Sequence, residues 1–252
     1  MIRRPFIDLL LATLIVAPAA AEQVTIAVAS NFRTPAEALV AQFMLDTAHT
    51  VRISSASTGK LFAQISNGAP FDILLAADSE FPRRLEESGM TVSGTRQTYA
   101  TGSLVLWSQD ARLANGDCRA ALNNLRRMRL AIANPDIAPY GIAARQFLHA
   151  EGLWDAIEPR LVYGENIAQT LHFVVSGNAE LGLIARSQAL DSRLPEASCA
   201  WAVPVELHEP IDQQAVVLQR AADNTAARDF AVYLVGDVGR DIITRFGYGV
   251  AE

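Results

Sequence analysis

Val51-Arg52-Ile53-Ser54-Ser55-Ala56-Ser57-Thr58-Gly59-Lys60-Leu61-Phe62-Ala63-Gln64-Ile65 is the stretch whose reading decides the fold. It begins as a short β-branched run and passes through the hydroxyl residues Ser54, Ser55, Ser57 and Thr58. After Gly59 come Leu61, Phe62 and Ile65 at helical spacing, so the stretch reads as strand, polar turn and helix start. The first backbone N–H groups of a helix lack intrahelical partners, and the dipole makes that end partly positive. Hydroxyls beside such a turn complete a neutral set of donors suited to an oxyanion. For this turn alone a second reading stands beside that one: Ser57 or Thr58 caps the helix and does nothing more.

Outward from this unit the arrangement recurs. On the N-terminal side, Val24 to Ala29 is a buried strand, Ser30-Asn31-Phe32 a turn, and Pro35 fits the first turn of a helix carrying Ala38, Leu39, Ala41 and Phe43. On the C-terminal side, Phe71 to Asp78 is a strand ending in an acid that precedes Ser79-Glu80-Phe81-Pro82, a capping position. Tyr99 to Trp107 is a longer extended run, where the chain crosses into a second lobe. There Leu130 to Ala133 forms a strand, and Asn134 to Gly141 a loop before a helix with Ile142, Ala143, Phe147 and Leu148 on one face. Leu161-Val162-Tyr163, the turn Gly164 to Ile167, a helix from Ala168 to Val175 and a strand Leu181 to Ala185 complete the pattern. Trp201 to Val205 reads as one more strand, Gln214 to Leu218 as the return to the first lobe, and Ala226 to Phe246 as a helical tail.

Alternating strands and helices predict α/β lobes with mostly parallel sheets covered on both faces. Ligands in such folds sit beyond the carboxyl ends of the strands. The turns fall into two pairs, one before and one after the crossing, so the expected architecture is two lobes around a cleft, each offering two helix N-termini. The expected boundaries are 22–102 with 209–252 for one lobe and 103–208 for the other.

The chain has 252 residues, half of them hydrophobic and 19% charged, which excludes a disordered or fibrous protein. A formal charge of −6 argues against a nucleic-acid partner. Residues 1–21 read as an export signal: Arg3 and Arg4, an apolar centre from Leu9 to Val16, then Ala19-Ala20-Ala21. Arg3-Arg4-Pro5-Phe6-Ile7 also resembles the core of a twin-arginine signal. In an exported protein Cys118 and Cys199 are candidates for a disulfide, although spacing alone does not show that they meet. The histidines at 49, 149, 172 and 208 show no metal-ligand spacing, and no serine sits in a Gly-x-Ser-x-Gly elbow.

Four segments carry a resemblance: Ala29-Ser30-Asn31-Phe32, Ser54 to Gly59, Asn67-Gly68-Ala69-Pro70-Phe71-Asp72 and Asn134 to Gly141. Together, and in this order, they resemble the periplasmic molybdate-binding proteins of ABC importers. The resemblance implies a two-lobed, monomeric, non-enzymatic periplasmic binding protein without a cofactor. Such a protein would close on molybdate or tungstate and deliver it to a membrane permease. Carried over by position, the donors are Ser30, Asn31 and Thr58, with Tyr140 and Ile167 contributing mainly backbone N–H groups. One departure matters: some relatives place a tyrosine hydroxyl on the ligand where this chain has Ala185, so the set must be completed otherwise, with Asn31 the candidate. Lys60 and Arg33 lie nearby but read as solvated. Competing readings are a binding protein for sulfate or phosphate, and an exported hydrolase. Phosphate keeps a proton near neutral pH and so needs an acidic acceptor; among the turn residues only Glu165 is acidic.

Overall fold

The computed structural model describes residues 21–113, 117–122 and 128–250. Of residues 1–21, read from sequence as an export signal, only Ala21 falls among them. The chain begins with β1 (Gln23–Ala29), a 3-10 turn (Ser30–Phe32), α1 (Arg33–Asp46), β2 (Thr50–Ala56), α2 (Thr58–Ser66), β3 (Ile73–Leu75), α3 (Glu80–Glu87) and β4 (Gln97–Gly102). It crosses at Ser103 into β5 (Leu104–Ser108), α4 (Cys118–Leu122), β6 (Leu130–Ala133), α5 (Pro139–Ala150), α6 (Trp154–Ile157), β7 (Leu161–Gly164), α7 (Ile167–Val175), β8 (Leu181–Ala185), α8 (Arg186–Ala189) and β9 (Cys199–Ala202). It then returns through β10 (Ile211–Val217) to α9 (Thr225–Val235) and α10 (Asp237–Arg245).

Two five-stranded sheets result, in the orders β2-β1-β3-β10-β4 and β7-β6-β8-β5-β9. Each is mixed rather than mostly parallel. In the first, β10 runs antiparallel to both β3 and β4; in the second, β5 runs antiparallel to both β8 and β9. The remaining paired strands, β1 with β2 and β3, and β6 with β7 and β8, are parallel. The reason lies in the crossings. β5 and β10 are the strands that enter a lobe from the other one, at the cleft edge where the parallel strands end, so they must run away from the cleft.

The parallel strands are buried on both faces and read as continuous apolar runs: Val24, Ile26, Ala27 and Val28 are wholly buried, as are Leu130 to Ala133. Helices α1, α9 and α10 cover one face of the first sheet through Phe32, Leu39, Phe43, Phe230, Leu234 and Ile243. Helix α2 covers the other face through Leu61 and Ile65. The second lobe closes around Leu104, Leu106, Ile132, Phe147, Leu148 and Leu183. There Cys118 and Cys199 form a disulfide joining α4 to β9, with Cα atoms 5.5 Å apart.

Two elements differ from the sequence reading. The tail is two helices, because Gly236 at their junction has an extended backbone (φ −73°, ψ 173°). The strand expected at Trp201 to Val205 lies earlier, and Val205–Leu207 is a 3-10 turn; Pro204 lacks the N–H that a ladder requires.

Candidate functional site

Four helix starts meet between the lobes. The turn after β1 brings Ser30 and Asn31, the start of α2 brings Ser57 and Thr58, the start of α5 brings Pro139 and Tyr140, and the start of α7 brings Ile167. With Ala29, Ala77 and Ala138 they line one small, tightly closed cavity. All five donors expected from sequence, Ser30, Asn31, Thr58, Tyr140 and Ile167, are in this lining. No charged side chain is.

The side chains leave these helix starts open towards the cavity. Ala29, Ser57 and Ala138 are the N-cap residues of the first three, and none makes a side-chain cap bond. Alanine has no group to do so, and Ser57 has one that does not cap the helix. Its hydroxyl is buried without a hydrogen-bond partner among the described residues, on a residue only 2% exposed. A buried polar atom left unpaired costs about 1–3 kcal/mol, which points to a ligand as its partner. The Thr58 hydroxyl accepts from Ala77 N at 3.1 Å, which leaves its own hydrogen free to donate. The fourth start is capped differently. Asn166 Oδ1 accepts from the N–H groups of Ala168 and Gln169, so the first N–H of α7, that of Ile167, remains for the cavity.

Asn31 departs from its expected role. Its Nδ2 donates to Gln213 Oε1 at 2.9 Å and to Tyr248 OH at 3.0 Å, so both amide hydrogens are taken. No side-chain amide hydrogen of Asn31 is therefore left to stand in for the tyrosine hydroxyl missing at Ala185. Ser57, with its buried hydroxyl unpartnered among the described residues, stands in the same lining. Sequence reading left Ser57 out because a serine at an N-cap position is indistinguishable from a cap until its partners are known.

Behind the cavity lies a buried polar layer. Tyr99 OH shares its hydrogen between the Ala76 carbonyl and Gln213 Oε1 (3.1 Å to each), Gln213 Nε2 donates to Tyr140 OH (3.4 Å), and Tyr248 OH donates to the Asn31 carbonyl (2.9 Å). Burial pushes the phenols of Tyr99, Tyr140 and Tyr248 above their ordinary range, so all stay protonated and neutral. Tyr140 therefore packs its ring into the core while its backbone sits at the cavity.

The lobes touch across the cleft. Gly59 N donates to Ile137 O at 3.0 Å, and Lys60 Nζ donates to Glu165 Oε2 at 2.7 Å. The ion pair assigns both charged side chains away from the cavity; Arg33 likewise pairs with Glu37 on an exposed face. Asp78 lies at one mouth of the cleft, in a crevice with Glu80, Gln146 and Glu209. Its Oδ1 accepts from Phe81 N at 2.8 Å, the capping role expected of it. Its Oδ2 is buried without a partner, and burial pushes its carboxyl up to about 6. Among the described residues, no group of three or more His, Cys, Asp or Glu gathers in a way that could hold a metal ion.

Residues 24–249 match the family described as bacterial extracellular solute-binding protein. The molybdate-binding protein of Azotobacter vinelandii is 44% identical over 95% of this chain and 94% of its own length. That of Rhodobacter capsulatus is 39% identical over 92% and 90%. The chain belongs to this family of solute-binding proteins. The solved structure of the Azotobacter vinelandii periplasmic molybdate-binding protein superposes on it with a TM-score of 0.84, covering 91% of this chain and all of the other. In this solute-binding protein, then, the mixed sheets are the family's fold.

Proposed function

We infer that this protein captures molybdate in the interlobe cavity and hands it to the permease of an ABC importer. The observation that carries this reading is the cavity lining. Four helix starts, two from each lobe, converge with hydroxyls and backbone N–H groups and without a single carboxylate or cation. Such a set stabilises a tetrahedral dianion by charge-assisted hydrogen bonds and partial helix charges. It offers no carboxylate to accept a proton, which disfavours phosphate. The donor set comprises the hydroxyls of Ser30, Ser57 and Thr58 and the backbone N–H groups of Asn31, Tyr140 and Ile167. Tungstate, with the same charge and shape, belongs to the same ligand class. The relatives' names and the periplasmic location of the Azotobacter protein support the ligand and a periplasmic site of action. The protein acts as a monomeric binding protein rather than an enzyme, with lobes divided at 102/103 and 208/209.

Calorimetric titration against molybdate, tungstate, sulfate and phosphate tests the reading. Molybdate and tungstate are expected to bind, and sulfate and phosphate at equal concentration to give little heat. Sulfate is smaller and cannot reach all donors at once. Tighter binding of sulfate or phosphate would overturn the assignment.

A further inference from the structure

Gln213 has no evident place in a sheet core. It lies in β10, is fully buried, and follows the inward positions of Ile211 and Ala215, where an apolar side chain would normally stand. Burying a primary amide costs free energy unless each end is hydrogen-bonded. The register between β10 and β4 shifts between Gln213 and Gln214, an irregularity of the kind that re-aims a side chain. The side chain aims at the boundary between the lobes.

Its two ends are used on opposite sides of that boundary. Oε1 accepts from Asn31 Nδ2 (2.9 Å) and Tyr99 OH (3.1 Å), both of the first lobe. Nε2 donates to Tyr140 OH of the second lobe at 3.4 Å. Asn31 and Tyr140, one from each lobe, both line the cavity. A second polar crossing runs alongside: Ser187 Oγ, from the second lobe, bonds Tyr248 OH at 2.9 Å and the Asn31 carbonyl at 3.3 Å. The approach is so close that Gly102, beside the crossing, has no room for a side chain. A Cβ there would meet Tyr140 OH at 2.2 Å and Gln213 Nε2 at 2.9 Å.

We propose that Gln213 is a positioning residue for anion capture, bridging Asn31 to Tyr140 so that the donors of the two lobes reach their binding geometry only when the lobes close. It touches no ligand. It holds the Asn31 amide on one side and anchors the first turn of α5 on the other, and so sets the separation of the Asn31 and Tyr140 backbone N–H groups. Opening the cleft breaks the long bond to Tyr140 and leaves the pair with Asn31 intact, so the first lobe keeps its half of the site. The proposal rests on the capture of an oxyanion in this cavity.

Two variants test it, Gln213→Leu and Gln213→Glu, each titrated calorimetrically between pH 5.5 and 8.5 with its unliganded melting followed in parallel. Wild type is titrated first with molybdate and sulfate, and the variants with whichever anion it binds. Gln213→Leu keeps the volume and removes both ends of the bridge. It is expected to weaken binding by roughly tenfold, the size of a lost buried hydrogen bond with its partner left unpaired. Gln213→Glu keeps acceptor and donor only while protonated. Its affinity is expected to approach wild type at pH 5.5 and to fall further below the wild-type curve as pH rises. Wild-type affinity at every pH in both variants overturns the proposal. So does a pH-independent loss that merely follows lost melting temperature, which marks a structural role. Sulfate binding in place of molybdate would overturn the assigned ligand alone, since the same variants against sulfate still decide the role of Gln213.

Discussion

Ser57 and Thr58 are adjacent hydroxyls with different partners, and single substitutions should separate them. Ser57 has an unpartnered buried hydroxyl, so Ser57→Ala removes a polar group that the unliganded fold does not use. Its unliganded melting temperature should stay level or rise. Its affinity for molybdate should fall roughly 10- to 100-fold, since a hydrogen bond to a charged group contributes about 1.5–3 kcal/mol. Thr58→Ala also removes the acceptor of the Ala77 N–H, so it should lower both affinity and unliganded stability, the latter by about 1 kcal/mol. Differential scanning fluorimetry with and without molybdate measures both effects; equal stability losses in the two variants would return Ser57 to the role of a cap. At the mouth of the cleft, Asp78 carries a carboxyl raised from 3.8 to about 6 by burial. A raised acid favours the folded state while protonated. The contribution is fully present below the unfolded value and is lost as pH rises through about 6. Stability should therefore fall over that window by up to about 3 kcal/mol, and Asp78→Asn should abolish the fall while keeping the bond from Phe81 N. Denaturant melts at pH 4.5 and pH 7.5 check this.

Helix α2 is the element on which closing turns. Its second residue is Gly59, whose N–H donates to Ile137 O in the other lobe. A Cβ at Gly59 would lie 2.9 Å from that same oxygen and 3.1 Å from Ile137 Cα. The obstacle is backbone, so the lobes rather than a side chain must give way. Gly59→Ala should weaken molybdate binding by roughly tenfold or more, as the cross-lobe bond of about 1 kcal/mol is lost together with full closure. The helix itself gains, since alanine is favoured over glycine by about 1 kcal/mol in a helix interior. The unliganded melting temperature should hold or rise. A variant with unchanged affinity would show that closure does not need this approach. The neighbouring Lys60–Glu165 pair is half exposed on both sides, so its removal should change affinity little and mostly at low salt.

For the whole molecule, the donors are divided between lobes joined by two crossings, at Ser103 and just before Ile211. An anion held by both halves must draw them together, as in hinge closure around a ligand. Small-angle scattering should show a smaller radius of gyration with saturating molybdate, and no change would count against it. A ligand at 1,000 times its dissociation constant stabilises by about 4 kcal/mol, so molybdate should raise the melting temperature by several degrees. The disulfide acts on one lobe only. It closes a loop of 81 residues between α4 and β9, for which the chain-entropy account gives about 4 kcal/mol. Replacing both cysteines with serine should lower stability by that order without removing the cavity, whose lining contains neither residue. Thermal melts and a molybdate titration of the double variant check both halves of this statement.

The strand-turn-helix units were legible in the sequence, because helix starts and buried strands are local patterns of apolar spacing and turn chemistry. So was Asp78 as a cap, since Phe81 lies only three residues on. Sheet direction was not legible: β5 and β10 run against their neighbours because of where each enters its lobe, which is a property of chain path. Nor was the division of labour among the polar residues. Whether the Asn31 amide is free or held depends on Gln213 and Tyr248, respectively 182 and 217 residues from Asn31 along the chain. Local sequence sets which groups can donate a hydrogen bond. Only the tertiary structure decides which remain without a partner, because that depends on the groups which distant parts of the chain bring within about 3 Å.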